Sequence, residues 1–204
     1  MRFQREVIVP SISIEVNGIR IATIGLNGMH VVDVSVHGAL DREQKASLSA
    51  FGGNYEEGEC GHLIWIDEHP LRKGDVVSVA FNELCEAADQ GKTIEELYPD
   101  EPPCTRSDFT ISDEMAAEIR SRPRLHDAFA VQVETSSGQT GSAESDDLNT
   151  DFRFGILWDS FHPTQARIRL STYCFDDVLA RTGGHEHFKT ALDLGDRVSF
   201  SLLR

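Results

Sequence analysis

A mainly β fold, an antiparallel sandwich or open barrel with two or three short helices, is predicted by three features of this sequence. Apolar and polar residues alternate along most of the chain, Asn-Gly and Gly-Asp pairs punctuate the alternation, and Leu-x-x-Gly-Asp-x-Val-Ser is written twice, from Leu71 and from Leu192. Alternation gives one buried and one wet strand face, and the Gly-containing pairs supply the turns that connect such strands.

The N-terminal third carries two Asn-Gly pairs, Asn17-Gly18 and Asn27-Gly28, each flanked by apolar residues. A type I′ turn at the first sets Val16 against Ile19, Glu15 against Arg20 and Ile14 against Ile21, with the apolar pairs on one face. A like turn at the second sets Val34 against Ile21 and Val36 against Ile19. A three-stranded meander over 11–36 is therefore expected. Leu63 and Trp65 open the next strand, Pro70 marks its end or an edge, and Gly74 turns the chain into Val77, Val79 and Phe81.

The middle of the chain changes character. Thr93 and Glu96 have capping-box spacing before Pro99, and Ser112 caps a second short helix that Pro123 follows. "AFAVQVE" reads as a strand. The polar run 135–151 lacks apolar anchors and is expected to be a mobile loop or a linker. Strand alternation then returns through Phe152, Phe154, Ile156 and Trp158, through Ala166, Ile168 and Leu170, and through Val198, Phe200 and Leu202. "FDDVLARTGG" fits a third short helix.

Gly61-His62 stands upstream of the first Leu-x-x-Gly-Asp and Gly184-His185 upstream of the second. This wider echo suits either a single domain over 1–204 with pseudo-duplicated β-rich halves, 1–100 and 126–204, or convergent turn chemistry.

Charge is the strongest bulk signal. The 204 residues include 34 acidic and 19 basic ones, a formal net charge of −15. Such a surface repels phosphate backbones and anionic lipid, so nucleic-acid and membrane partners are not expected, whereas a basic protein is attracted. Four cysteines, Cys60, Cys85, Cys104 and Cys174, show no Cys-x-x-Cys spacing and no dense disulfide framework, and no apolar leader precedes the first strand. A cytoplasmic protein with reduced thiols is the expectation.

Three groups of residues are candidates for function. The segment 83–101 holds seven acids against one lysine, and Glu83, Glu86, Asp89, Glu95 and Glu96 are its candidate contacts to a basic partner. Cys60, His62, His185 and His187 sit at alternating positions, so each pair projects to one side of an extended chain. If duplicated halves faced each other, the four would make a zinc site of one thiolate and three imidazoles. Trp65 and Trp158 are candidates for core packing or for the wall of a pocket between sheets. Glu186 points away from its flanking histidines, which places it badly as a general base. No nucleophile elbow and no phosphate-binding loop is written in the chain.

The stretch from "GHLIWIDEHPLRKGDVVSVAFNE" to "GKTIEELYPDEPP" resembles a group of small bacterial proteins of uncharacterised activity that share a Trp, then Pro-Leu-x-x-Gly-Asp-x-Val, then an acidic Pro-containing tail. That resemblance implies a bacterial cytoplasmic accessory protein and carries over no catalytic residue. The expectation is a non-enzymatic acidic binding module, an immunity or antitoxin-type inhibitor of a basic protein. The alternatives are a metal-dependent enzyme built on His185 and His187, and a small-molecule-binding β protein.

Overall fold

The computed structural model describes residues 9–56, 59–85, 87–101 and 111–204, with residues 56, 59 and 60 in backbone only. The first half of the chain forms β1 (Ser11–Val16), β2 (Ile19–Gly25), β3 (Val31–Ala39), β4 (Ala46–Glu56), β5 (Glu59–Leu71) and β6 (Val76–Asn82). Two helices follow, α1 (Ile94–Leu97) and α2 (Asp113–Ser121). The second half forms β7 (Ala130–Thr135), β8 (Thr140–Glu144), β9 (Asp151–Asp159), β10 (Gln165–Tyr173), α3 (Phe175–Ala180), β11 (His185–Asp193) and β12 (Arg197–Leu202). Two antiparallel six-stranded sheets result, ordered β2-β1-β6-β12-β7-β8 and β11-β10-β9-β3-β4-β5. No helix among the described residues is long and apolar enough to cross a membrane.

The strand orders obey a two-fold rule. Exchanging β1–β6 with β7–β12 one for one turns each sheet order into its own reverse. The pairing registers place the axis. Ser78 pairs with Ser199 in the first sheet, and these are the same position of the two Leu-x-x-Gly-Asp-x-Val-Ser motifs. In the second sheet Ser35, the midpoint of β3, pairs with Gly155, the midpoint of β9. Both motifs play the same architectural part, carrying the chain from an edge strand of the second sheet, β5 or β11, into the central pair β6 and β12 of the first. Gly74 and Gly195 take φ values of +91° and +90° in these turns, a region glycine enters at little cost. The Gly-His echo is shifted by one residue, because Leu63 and His185 hold the matching register positions opposite Gly52 and Thr172.

The space between the sheets is filled. Alternate residues of every central strand enter one apolar cluster, in which Phe200 stacks on Phe154 at 5.2 Å and on Phe152 at 5.8 Å. Trp158 is part of it and only 3% exposed, which gives this tryptophan the core-packing role.

Three local expectations are corrected. The first hairpin forms as read at Val16–Ile19 and Glu15–Arg20, but a bulge then sets Ile14 opposite Ala22 rather than Ile21. The expected third strand pairs elsewhere: β3 lies in the second sheet, with Val34 between Ala50 and Ile156. A type I′ turn needs positive φ at both central residues. Asn17 and Gly18 have it, at +54° and +77°, whereas at the second pair only Gly28 does, at +76°. That turn therefore throws the chain across the sandwich instead of folding it back. The polar run expected as a mobile loop contains β8, an edge strand bonded along β7 from Ala130–Glu144 to Glu134–Thr140. Its only buried apolar side chain is Ala143, too small a signal for the alternation rule.

The helices follow their caps. Thr93 and Glu96 bond each other's backbone N–H groups at α1, and the Ser112 hydroxyl accepts from Met115 N–H at α2. At α3 the Asp177 carboxylate accepts from Cys174 N–H and from the Thr182 hydroxyl, and Arg181 ends the helix in the left-handed region. Arg120 of α2 reaches the Asp176 carboxylate at 2.7 Å and lies over the Phe175 ring, which fastens α2 to α3.

Candidate functional site: a cationic groove on the outer sheet face

On the outer face of the second sheet, strand pairing lays the side chains out as a grid. One row reads Asp33, Leu157, Arg167 across β3, β9 and β10; the next reads Ser35, Gly155, Arg169 and, on β11, Lys189. The third reads His37, Arg153, Ser171 and Glu186. Gly155 has no side chain to fill its place, and a Cβ there would meet only Arg153 Nε, at 3.5 Å. The result is a hollow at the middle of the sheet, walled on the β11 side by α3 and the turn through Gly183. This groove has a volume of about 710 Å³.

Its charge opposes that of the chain. Arg153, Arg167, Arg169, Arg181 and Lys189 line it against Asp33, Asp177 and Glu186. Arg153 bonds Asp33 Oδ2 at 2.8 Å and Arg169 bonds Glu186 at 3.0 Å, while Arg167 bonds Asp159 just outside. Asp177 is engaged in capping α3. Among the described residues Arg181 and Lys189 pair with no carboxylate, and both are exposed. Cations left over in this groove, within a chain of net charge −15, make it the local minimum of repulsion for an anion.

Asp33 is the least settled group in the groove. Its side chain is 9% exposed, Oδ2 is held by Arg153, and Oδ1 is buried with no hydrogen-bond partner among the described residues. A buried carboxylate oxygen without a donor is costly, and a donor brought by a ligand relieves that cost. His37 bonds Ser35 Oγ through Nε2 at 3.1 Å. Burial and, next, the Arg153 guanidinium push its pKa below the ordinary histidine value, so the imidazole is neutral at pH 7. Burial and then Asp151 push the Tyr173 phenol upward, keeping it a hydrogen-bond donor.

The residues singled out from the sequence are placed differently. His185 and His187 do come together, with ring centroids 4.6 Å apart in an edge arrangement, and His187 Nε2 meets Thr172 Oγ1 at 2.8 Å. Burial and then His185 hold His187 below the usual histidine pKa. His62 lies on β5, at the opposite edge of the same sheet, against Phe51 and the Tyr55 hydroxyl. Five strand spacings of about 4.8 Å put roughly 24 Å between those edges. The four-residue zinc site therefore does not converge: the two-fold axis runs between the edges instead of superposing them. The Cys60 side chain lies outside the described residues, and among the described residues no three His, Cys, Asp or Glu side chains group as a metal site. Cys85 and Cys174 are free thiols, and Cys104 is outside the described residues.

In the acidic segment, Glu83 and Glu95 are exposed. Asp89 accepts from Thr23 N–H at 2.6 Å and Glu96 from Thr93 N–H at 2.8 Å, so both carboxylates are committed to the backbone. Glu86 lies outside the described residues. Trp65 donates its indole N–H to the Asp89 carbonyl at 3.0 Å, beside the bridge between Ile64 and Lys92, and so helps seat this segment over the β5 edge.

The groove residues carried a sequence signal that net charge obscured. "QARIRLSTY" alternates Arg167 and Arg169 with Ala166, Ile168 and Leu170, so two arginines stand on one exposed strand face. No protein-family model, curated protein or solved structure matches this chain.

Proposed function

We propose that the protein is a ligand-binding β-sandwich that takes a small polar molecule into the groove on the outer face of β3, β9, β10 and β11 and performs no chemistry on it. The observation that carries this reading is Asp33: a carboxylate buried at the edge of a cationic hollow, one oxygen paired and the other without a donor among the described residues. The volume of about 710 Å³ lies within the range of roughly 300–1,000 Å³ usual for small-molecule sites. Leu157 supplies an apolar wall and the arginines supply orientation. The acidic segment offers no comparable enclosure, and its docking to a basic partner rests on charge alone.

The test fills the hollow. Gly155→Leu places a side chain where only Arg153 Nε lies near, on a strand position whose φ suits any residue. Wild type and this variant are screened by thermal shift and heteronuclear NMR against neutral, cationic and anionic metabolites. Ligands that shift β9 and β10 resonances of the wild type lose their effect in the variant, whose amide resonances away from the groove stay at their wild-type positions. A panel that leaves those resonances unmoved, or moves them equally in both proteins, overturns the reading.

A further inference from the structure

We infer that the ligand of this groove is a hydroxylated organic phosphate, held in a fixed polarity: its phosphate on Arg181 and Lys189, its hydroxyl on Asp33. The inference rests on the groove being a binding site and adds which chemistry it takes and which way round.

The polarity follows from where the unspent groups lie. Lys189 is on β11, in the row of Ser35, Gly155 and Arg169, and Arg181 closes α3 on the same side. Both are exposed, and among the described residues neither has a carboxylate partner. Asp33 is on β3, three strands from β11, or roughly 14 Å at about 4.8 Å per strand. The cationic end offers a planar guanidinium fork beside a point charge, a combination suited to an oxyanion with three oxygens and more than one negative charge. Arg169 stands between the two ends, already tied to Glu186. At the far end Asp33 Oδ1 wants a donor, which excludes a second anionic group there and selects hydroxyl or amine. Arg153 keeps its 2.8 Å bond to the other oxygen, Oδ2, so the ligand's donor adds to that pair rather than replacing the arginine. An amine is the poorer choice, because the remaining groove lining is net cationic.

Ribose 5-phosphate, ribose, inorganic phosphate and gluconate serve as probes, each titrated by calorimetry into the wild type, Arg181→Ala/Lys189→Ala and Asp33→Asn. Ribose 5-phosphate is expected to bind the wild type at least about tenfold tighter than ribose or phosphate, the scale of one charge-assisted hydrogen bond. The double variant lowers ribose 5-phosphate to the level of ribose and leaves ribose unchanged. Asp33→Asn lowers it to the level of phosphate. Gluconate binding as tightly as ribose 5-phosphate overturns the phosphate assignment in favour of a carboxylate. Equal binding of ribose and ribose 5-phosphate overturns the phosphate contact with Arg181 and Lys189 while leaving the groove a binding site. Binding of none of the four overturns the inference, and the wider metabolite panel then decides the groove reading separately.

Discussion

Removing either partner of the Asp33–Arg153 pair should have very unequal effects. Arg153→Ala leaves a carboxylate that is 9% exposed with no cation and no donor on either oxygen. Stranding a buried charge in this way costs about 3–5 kcal/mol. At about 2–4 °C per kcal/mol for a chain of this size, the melting temperature falls by roughly 6–20 °C. Asp33→Asn instead leaves an arginine whose side chain is 44% exposed and recovers water. It loses a charged hydrogen bond, worth about 1.5–3 kcal/mol, but also removes a buried charge one of whose oxygens was unsatisfied, a penalty of similar size. The net change is within about 1 kcal/mol of zero. Urea unfolding at pH 7 of both single variants and the double variant measures the cycle. The double variant should recover most of the stability lost in Arg153→Ala. If Asp33→Asn costs as much as Arg153→Ala, or the double variant shows no recovery, the pair is an ordinary structural ion pair and Asp33 is not an unsatisfied site residue.

Two further outcomes test the fold and the electrostatics. A Cβ on Gly141 would lie 2.5 Å from Phe188 Cβ, where β8 meets β11 at the edges of the two sheets, whereas one on Gly61 meets nothing within 4 Å. Gly141→Ala should therefore cost about 1–3 kcal/mol through overpacking and Gly61→Ala less than about 0.5 kcal/mol, read by thermal denaturation. His37 has a folded pKa below its unfolded value of 6.5. The unfolded state then binds the proton more readily, so this contribution is complete above pH 6.5 and lost as pH falls through the folded pKa. His187 adds a slope of the same sign. His37→Gln should flatten, without abolishing, the decline in unfolding free energy between pH 8 and pH 5. An unchanged slope would show that His37 is not held neutral by burial and Arg153.

What the sequence made legible was local. Capping boxes, the Gly-Asp turns and the alternation of Phe152, Phe154, Ile156 and Trp158 each write their outcome within a few residues, and each element formed where they indicate. The partner of a strand is a different matter. Val34 and Val36 alternate as they would against β2 or against β9, and the pairing observed is with β9, after a turn in which Gly28 but not Asn27 takes positive φ. β8 was hidden for the opposite reason: an edge strand needs one covered residue and a ladder of backbone bonds, neither of which alternation records. The candidate site was obscured by averaging. A formal charge of −15 describes the whole surface, yet the outward face of β10 alone places Arg167 and Arg169 side by side.

The two-fold axis explains why the groove lies where it does and why it is not duplicated. Asp33 and Arg153 stand two residues before Ser35 and Gly155, the pair on the axis, so they occupy equivalent positions. Identical residues there would be two like charges facing each other across the axis, a repulsive arrangement. Because the two residues differ, that position holds an ion pair. A like difference separates β4 from β10. Ala46 and Ala166 pair with the leading leucines of the two motifs, Leu71 and Leu192, which makes Ser47 and Ser49 the counterparts of Arg167 and Arg169. One half thus keeps short neutral side chains while the other carries cations. The connection after β10 holds α3 with Arg181, whereas β4 passes to β5 through two residues. Symmetry supplies a well-packed pair of central strands; the departures from it, Gly155 opposite Ser35 together with the charge and the wall, make one side of that glycine a groove.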